Sequence, residues 1–285
     1  NARRLAISGS TLFIADGLGG VRALDIAVPS APVLVGAYAT AGAARSLVYA
    51  SPHLIVLDMD DGLQILTTAS TPALVGENRL VTAGLSLTGV AGAVIVSDAN
   101  GGLFRVATTN LAAPSIAVQT RLPAAGQALA ASGSALYVAA GAAGLLTVNP
   151  ATLAVVDTDA AAGEASDIAL AGSVLYLAAG FGGCQVWDVS NPLAPTLQGT
   201  LRTGIRAVDA DRSANTLFVA GDEAGLQVHS LTNVAAPQWM ATVAGSTNPR
   251  CLAVSGSLAY VAEALGGLKI YSIANPASPS LVGTD

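Results

Sequence analysis

Leu175-Tyr176-Leu177-Ala178-Ala179-Gly180-Phe181-Gly182-Gly183-Cys184-Gln185-Val186-Trp187-Asp188-Val189 reads as an apolar strand, a glycine hairpin and a second apolar strand. Successive side chains of a strand point to opposite faces, yet Leu175 to Ala178 are all apolar. A sheet with one wet face would alternate apolar with polar residues, so this strand expects cover on both sides. The tip glycines supply the positive φ angles that a short hairpin requires. The same pattern returns six more times along the chain. Its last glycine falls at Gly20, Gly62, Gly102, Gly144, Gly183, Gly225 and Gly267, with successive copies 39 to 42 residues apart. A period near forty with several short strands per unit predicts a propeller blade.

Each unit reads as four strands. In the seventh, Cys251–Ser255 turns at Gly256-Ser257 into Ala259–Ala262, and the hairpin Leu265-Gly266-Gly267 leads to Leu268–Tyr271. The turn Asn275-Pro276-Ala277-Ser278-Pro279 then delivers Ser280–Gly283. Prolines fall between strands, where a missing N–H breaks no ladder. No segment keeps apolar residues at helical spacing. The expected fold is therefore all-β, a seven-bladed β-propeller with four antiparallel strands per blade. It is expected to be one domain over 1–285, with blades at about 1–40, 41–82, 83–122, 123–163, 164–201, 202–245 and 246–285. Open repeat stacks need polar terminal units, but units one and seven are as apolar as the interior ones, so the ring should close. The chain begins on a first strand and ends on a fourth, so closure is expected without strand exchange. Side-chain packing alone would then hold the seam and make it the weakest joint.

Bulk composition removes several function classes. Of 285 residues 52% are hydrophobic and mean hydropathy is +0.60, yet Gly, Ser or Asp interrupts every apolar run. A spanning helix needs about 20 continuous apolar residues and a membrane strand about 9–11. No transmembrane segment is expected. A net charge of −6, with Lys269 the one lysine, argues against nucleic acid, whose phosphates call for clustered Lys and Arg. Cys184 and Cys251 stand in non-adjacent units, beyond disulfide reach, and are expected as free buried thiols. The chain starts at Asn1 with no charged-then-apolar leader, which fits a processed or excised segment.

The run Val186-Trp187-Asp188-Val189-Ser190-Asn191-Pro192 followed by Ala194-Pro195-Thr196-Leu197 resembles the LVIVD-repeat family. Arg22-Ala23-Leu24-Asp25-Ile26 with Pro32-Val33-Leu34-Val35-Gly36 is a second match, and Ile273-Ala274-Asn275-Pro276 with Ser280-Leu281-Val282-Gly283 a third. The resemblance covers the whole chain, most strongly units one, five and seven. It implies a β-propeller of the kind found in secreted or surface-attached prokaryotic proteins, hence an extracellular or cell-surface location. The family carries no catalytic signature to transfer. Trp187-Asp188 is also similar to the WD dipeptide, but it occurs once.

Propellers bind at the face bearing the second-to-third-strand hairpins, around the channel mouth. Arg3, Arg45, Arg206 and Arg250 open first strands there, and Asp16, Asp58, Asp98 and Glu263 end second strands. These two registers read either as rim salt bridges that hold the hairpins or as an anion- or sugar-binding ring with Arg as donor. Units four and five are neutral at both positions, which divides the face into a charged and a neutral arc. The hairpin tips differ in every unit (Leu18, Asp60, Asn100, Ala142, Phe181, Glu223 and Leu265), as a scaffold with adjustable contacts would show. Phe181 either tucks onto the neighbouring blade or serves as an aromatic anchor.

Chemistry has thinner support. Asp58, Asp60 and Asp61 crowd one hairpin as an oxygen-rich Ca²⁺ candidate, without the bidentate Glu of an EF-hand loop. Asp209, Asp211, Ser213 and Asn215 form a second oxygen run, read as a turn with Asx caps. His53 and His229 lie in different units, so no acid–base or zinc constellation assembles. No catalytic residue and no cofactor is assigned. The leading reading is a non-enzymatic binding or scaffold domain that meets a protein or surface glycan through the hairpin face. One alternative is a structural subunit of a larger extracellular or membrane-associated assembly, docked by its neutral arc or an outer fourth strand. The other is a hydrolase with a carboxylate cluster and Ca²⁺ in the channel.

Overall fold

The computed structural model describes residues 2–285 except 69–70, 80, 202–206, 222–224, 235 and 265. Those residues form twenty-eight strands, β1–β28 in chain order, and no helix. Among the described residues, therefore, no helix is long and apolar enough to cross a membrane. Four successive strands make each antiparallel sheet, from β1 (Arg4–Ser8), β2 (Thr11–Ala15), β3 (Val21–Asp25) and β4 (Val33–Tyr38) in the first blade to β25 (Pro249–Ser255), β26 (Leu258–Glu263), β27 (Gly267–Ser272) and β28 (Ser280–Thr284) in the seventh.

The first strands line the axis. They are β1, β5 (Ala44–Ala50), β9 (Gly84–Val90), β13 (Ala128–Ser132), β17 (Asp167–Ala171), β21 (Ala207–Ser213) and β25. Each touches the first strand of both neighbouring blades, and β1 meets β25, so the ring is closed. The second strands account for the hydrophobicity. Leu12, Phe13, Ile14 and Ala15 are all buried, because one face of β2 packs on blade seven and the other on blade two. The apolar run in Leu175–Ala178 has the same cause, with Leu175 and Leu177 facing blade four and Tyr176 and Ala178 facing blade six.

The seam closes without strand exchange. Leu5, Leu12, Ile14, Leu24 and Ile26 of blade one form one cluster with Tyr260, Ala262, Leu268 and Ile270 of blade seven. Packing is not its only tie, contrary to the expectation. Arg22 on β3 pairs with Asp285, the last residue, at 3.1 Å. A Cβ added to Gly283 would also strike the Pro29 carbonyl of blade one, so the outer strand must be glycine there to let the neighbouring turn approach. At the hairpins, Gly20 has φ +72° and no room for a Cβ beside the Tyr38 carbonyl, which is why that position repeats as glycine.

Hairpins also tie blade to blade. Gly17 and Ala44 exchange backbone hydrogen bonds of 2.9 and 3.1 Å between blades one and two, and Gly141 does the same with Ala165 between blades four and five. The hairpin face is thus braced from blade to blade at these junctions.

Candidate functional site

The start of every first strand contributes to a cavity of about 460 Å³ on the axis, open on the hairpin face. At its floor the residues opposite the end of each second strand converge. Among them are Arg4, Ser46, Ser86, Asp167, Asp209 and Cys251. Arg4 of blade one crosses the axis to Asp167 of blade five, with Nη1 donating to Oδ1 at 2.9 Å. The carboxyl of the next-blade Asp209 lies close enough to Asp167 for each to act on the other. Burial first, and then the charge of Asp167, push Asp209 well above the usual carboxylate range, which favours its protonated form. Asp167 in turn holds the Arg4 guanidinium above its ordinary value. With Asp209 in that favoured form, the bar is charge-matched: one cation, one anion and one neutral acid.

Asp209 has a second task. Its Oδ2 accepts from Leu252 N at 2.8 Å, and Asp211 Oδ2 accepts from Val254 N at 2.7 Å. The alternating oxygens of β21 therefore stitch blade six to β25 of blade seven. The expectation of Asx turn caps at Asp209 and Asp211 is corrected, because side chains two apart share the face that looks at the next blade.

One layer above the floor lies the register Arg3, Arg45, Leu85, Gln127, Ser166, Val208 and Arg250. In blades two, three, six and seven this residue sits in a β-bulge that turns it into the cavity. Val208 occupies the place expected for Arg206, which lies outside the described residues. The rim pairing does not form as expected either. Asp58 is fully buried, and its Oδ1 accepts from Asp60 N at 2.9 Å and Asp61 N at 2.8 Å instead of meeting Arg45. Asp98 Oδ1 likewise accepts from Asn100 N and Gly102 N. Glu263 pairs with Lys269 at 2.7 Å and accepts from Thr247 N and Oγ1, so Arg250 is not its partner. Asp16 faces a separate cavity of about 350 Å³ at the seam, with Arg22, Glu263 and Asp285. A carboxylate next to a tight hairpin finds amide donors closer than any guanidinium.

The Ca²⁺ triad is also dispersed. Asp58 faces the hairpin amides, whereas Asp61 reaches Arg79 at 3.4 Å and accepts from Gln64. No group of three His, Cys, Asp or Glu stands close enough to hold an ion among the described residues. His229 is buried beside Gln227 and is pulled down to about 4 by burial, which keeps it neutral. Cys184 and Cys251 are free and buried, with Cys184 pushed up to about 12 by burial.

Of the hairpin tips, Leu18, Asp60, Asn100, Ala142 and Phe181 are exposed, and Glu223 and Leu265 lie outside the described residues. Phe181 does not tuck onto its neighbour. It and Leu18 are each 88% exposed.

The LVIVD repeat profile matches residues 1–40, 162–203 and 248–284, the stretches that carry blades one, five and seven. No curated protein matches the sequence. Among solved structures the chain is similar to Sqt1 of Saccharomyces cerevisiae, at 9% identity and TM-score 0.77 over 99% of this chain and 85% of that one. The WD40 domain of Neurospora crassa Pan2 shares 13% identity and TM-score 0.77 over 96% and 89%. BamB from Moraxella catarrhalis shares 13% identity and TM-score 0.66 over 95% and 84%. At these identities the likeness is one of fold: a four-stranded-blade propeller that three LVIVD repeats help to build.

Proposed function

We propose that this chain is a non-enzymatic binding module of a secreted or cell-surface protein, and that it meets its partner through the hairpin face. The observation that carries this reading is the pair of bare apolar tips, Leu18 and Phe181, on the face where the axial cavity opens. Exposed aromatic and aliphatic side chains beside a polar cavity supply apolar contact area where a partner would cover them. The rigid rim beneath them limits the entropy lost on binding. A second reading, a structural subunit docked by its outer edge, draws on the fourth strands. Val33, Leu34 and Val35 of β4 are exposed in succession, and Trp239 is 63% exposed on another outer strand.

A photoreactive residue placed singly at positions 18, 181, 34 and 239, and irradiated in the organism that makes the protein, separates the two. Adducts of one defined species at 18 and 181, and none at 34 and 239, are the expected result. Adducts confined to 34 and 239 would replace this reading with the docked subunit.

A further inference from the structure

The axial cavity holds positive charge, at Arg3 and Arg45, that no acid among the described residues answers. Arg3 and Arg45 line it together, and neither guanidinium forms an ion pair with a described residue. They act on each other instead. Burial first, and then the charge of Arg3, hold Arg45 below its ordinary value. Acids that could neutralise them are engaged elsewhere: Asp58 and Asp98 on hairpin amides, Glu263 on Lys269, and Asp167 on Arg4. The chain as a whole carries a net charge of −6, so the cationic cavity is a local arrangement and not a consequence of composition. Like charges gathered without a counter-ion cost the free fold stability, and an anion that enters relieves that cost.

Two features decide what the anion is attached to. The lining adds Ser46, Ser86, Gln127 and Ser166, which are hydrogen-bonding groups, and no aromatic ring on which a sugar face could stack. The bare apolar groups stand outside the cavity, at Leu18 and Phe181, where the flanking surface of a protein chain would lie. Guanidinium forks match a carboxylate in two-point geometry.

We infer that the axial cavity is a carboxylate receptor, taking an acidic side chain or a C-terminal carboxylate of a protein partner between Arg3 and Arg45. This rests on the reading of the hairpin face as the contact face.

The test uses the whole chain and four probes: acetyl-Ala-Glu-Ala-amide, its Gln counterpart, acetyl-Ala-Ala-Ala with a free carboxylate, and galacturonic acid. Side-chain Nε–H resonances of Arg3 and Arg45 report binding. The Glu peptide, the free-carboxylate peptide or both should shift these resonances with a Kd of about 1 mM, weakened by added salt. Which peptide binds identifies the carboxylate's source, and the Gln peptide should leave the signals unmoved. Arg45→Gln and Arg3→Gln should each weaken the binding at least fivefold. Arg45→Gln should also raise the Tm of the free protein by about 1–2 °C, because it removes a charge without a partner. A purely structural arginine would give the opposite sign. The inference is overturned if no carboxylate peptide binds, if the Gln peptide binds equally, if galacturonic acid alone binds, or if Arg45→Gln lowers the Tm. Cross-links at 181 with no carboxylate binding would overturn the receptor and leave the contact face standing. Carboxylate binding with no cross-links would do the reverse.

Discussion

The floor and the mouth of the axial cavity use the same residue types to opposite effect. At the floor, Arg4, Asp167 and Asp209 come from blades one, five and six, and their charges cancel in the protonated form that burial favours for Asp209. At the mouth, one layer above the floor, Arg3 and Arg45 face the same space and pair with no described acid. The floor therefore reads as part of the fold and the mouth as part of whatever the fold receives. A single step along the chain, from Arg3 to Arg4, separates the two.

Breaking the match at the floor should give the largest effect. Asp167→Asn leaves Arg4 facing a neutral group and removes the anion that Asp209 leans on. Loss of one partner in a fully buried pair costs about 3–5 kcal/mol, and the Arg4 side chain keeps 35% exposure to cavity water, so about 2 kcal/mol is expected. Asp209→Asn should stay within about 1 kcal/mol of the wild type at pH 7, since an amide oxygen can still accept from Leu252 N. Urea midpoints of the two variants check the contrast. Equal losses would mean that Asp209 is ionised and that the floor is not charge-matched.

The sequence made the ring legible and the floor invisible, for physical reasons. Glycines recur at a near-constant period, and at Gly20, Gly62, Gly144, Gly225 and Gly267 a Cβ would strike a backbone carbonyl, so the pattern has a steric cause. Apolar first and last units announced a closed seam, and the cluster around Leu12 and Tyr260 supplies it. Arg3, Arg45 and Arg250 were readable as one register because each lies at the same distance before its hairpin. The fourth member was misread: pairing to the second strand puts Val208, not Arg206, in that register. The bar from Arg4 to Asp167 joins blades that are not neighbours, which no local pattern encodes. Its trace was two acids, Asp167 and Asp209, at the position that Arg4 fills in blade one. Exposure of Phe181 had a local cause too, since its glycine neighbours carry no side chains to shelter it.

The pH dependence sharpens the floor further, at smaller amplitude. Asp209 holds its proton in the folded chain to a higher pH than in the unfolded chain, where a carboxyl titrates near about 3.9. From about pH 4 upward the folded state binds the extra proton, so this group's contribution falls as pH rises, until Asp209 ionises in the fold as well. His229 works in the opposite direction. It is neutral in the fold down to about 4 and titrates near 6.5 when unfolded, so its contribution rises with pH between those values. Wild type and Asp209→Asn share His229, and the difference between them isolates Asp209. That difference should move in favour of Asp209→Asn from pH 4.5 to pH 7.5, and a flat difference would show that Asp209 carries no proton in the fold.

The smallest effect is expected where charges match but stay wet. Arg22 and Asp285 close the seam at 3.1 Å, with 32% and 24% of their side chains exposed. Water already solvates both groups, and holding two side chains in one geometry costs entropy, so such pairs contribute about 0–1 kcal/mol. Arg22→Gln should therefore lower stability by no more than about 0.5 kcal/mol, and added salt should erase the difference. Closure rests on the apolar cluster of Leu12, Ile14, Leu24, Tyr260 and Ile270, which the substitution does not touch. Thermal unfolding at low and high salt measures this directly. A loss for Arg22→Gln that matched Asp167→Asn would mean that the terminal ion pair, not the packing, joins the last blade to the first. Burial would then no longer separate the charges this fold depends on from those it merely carries.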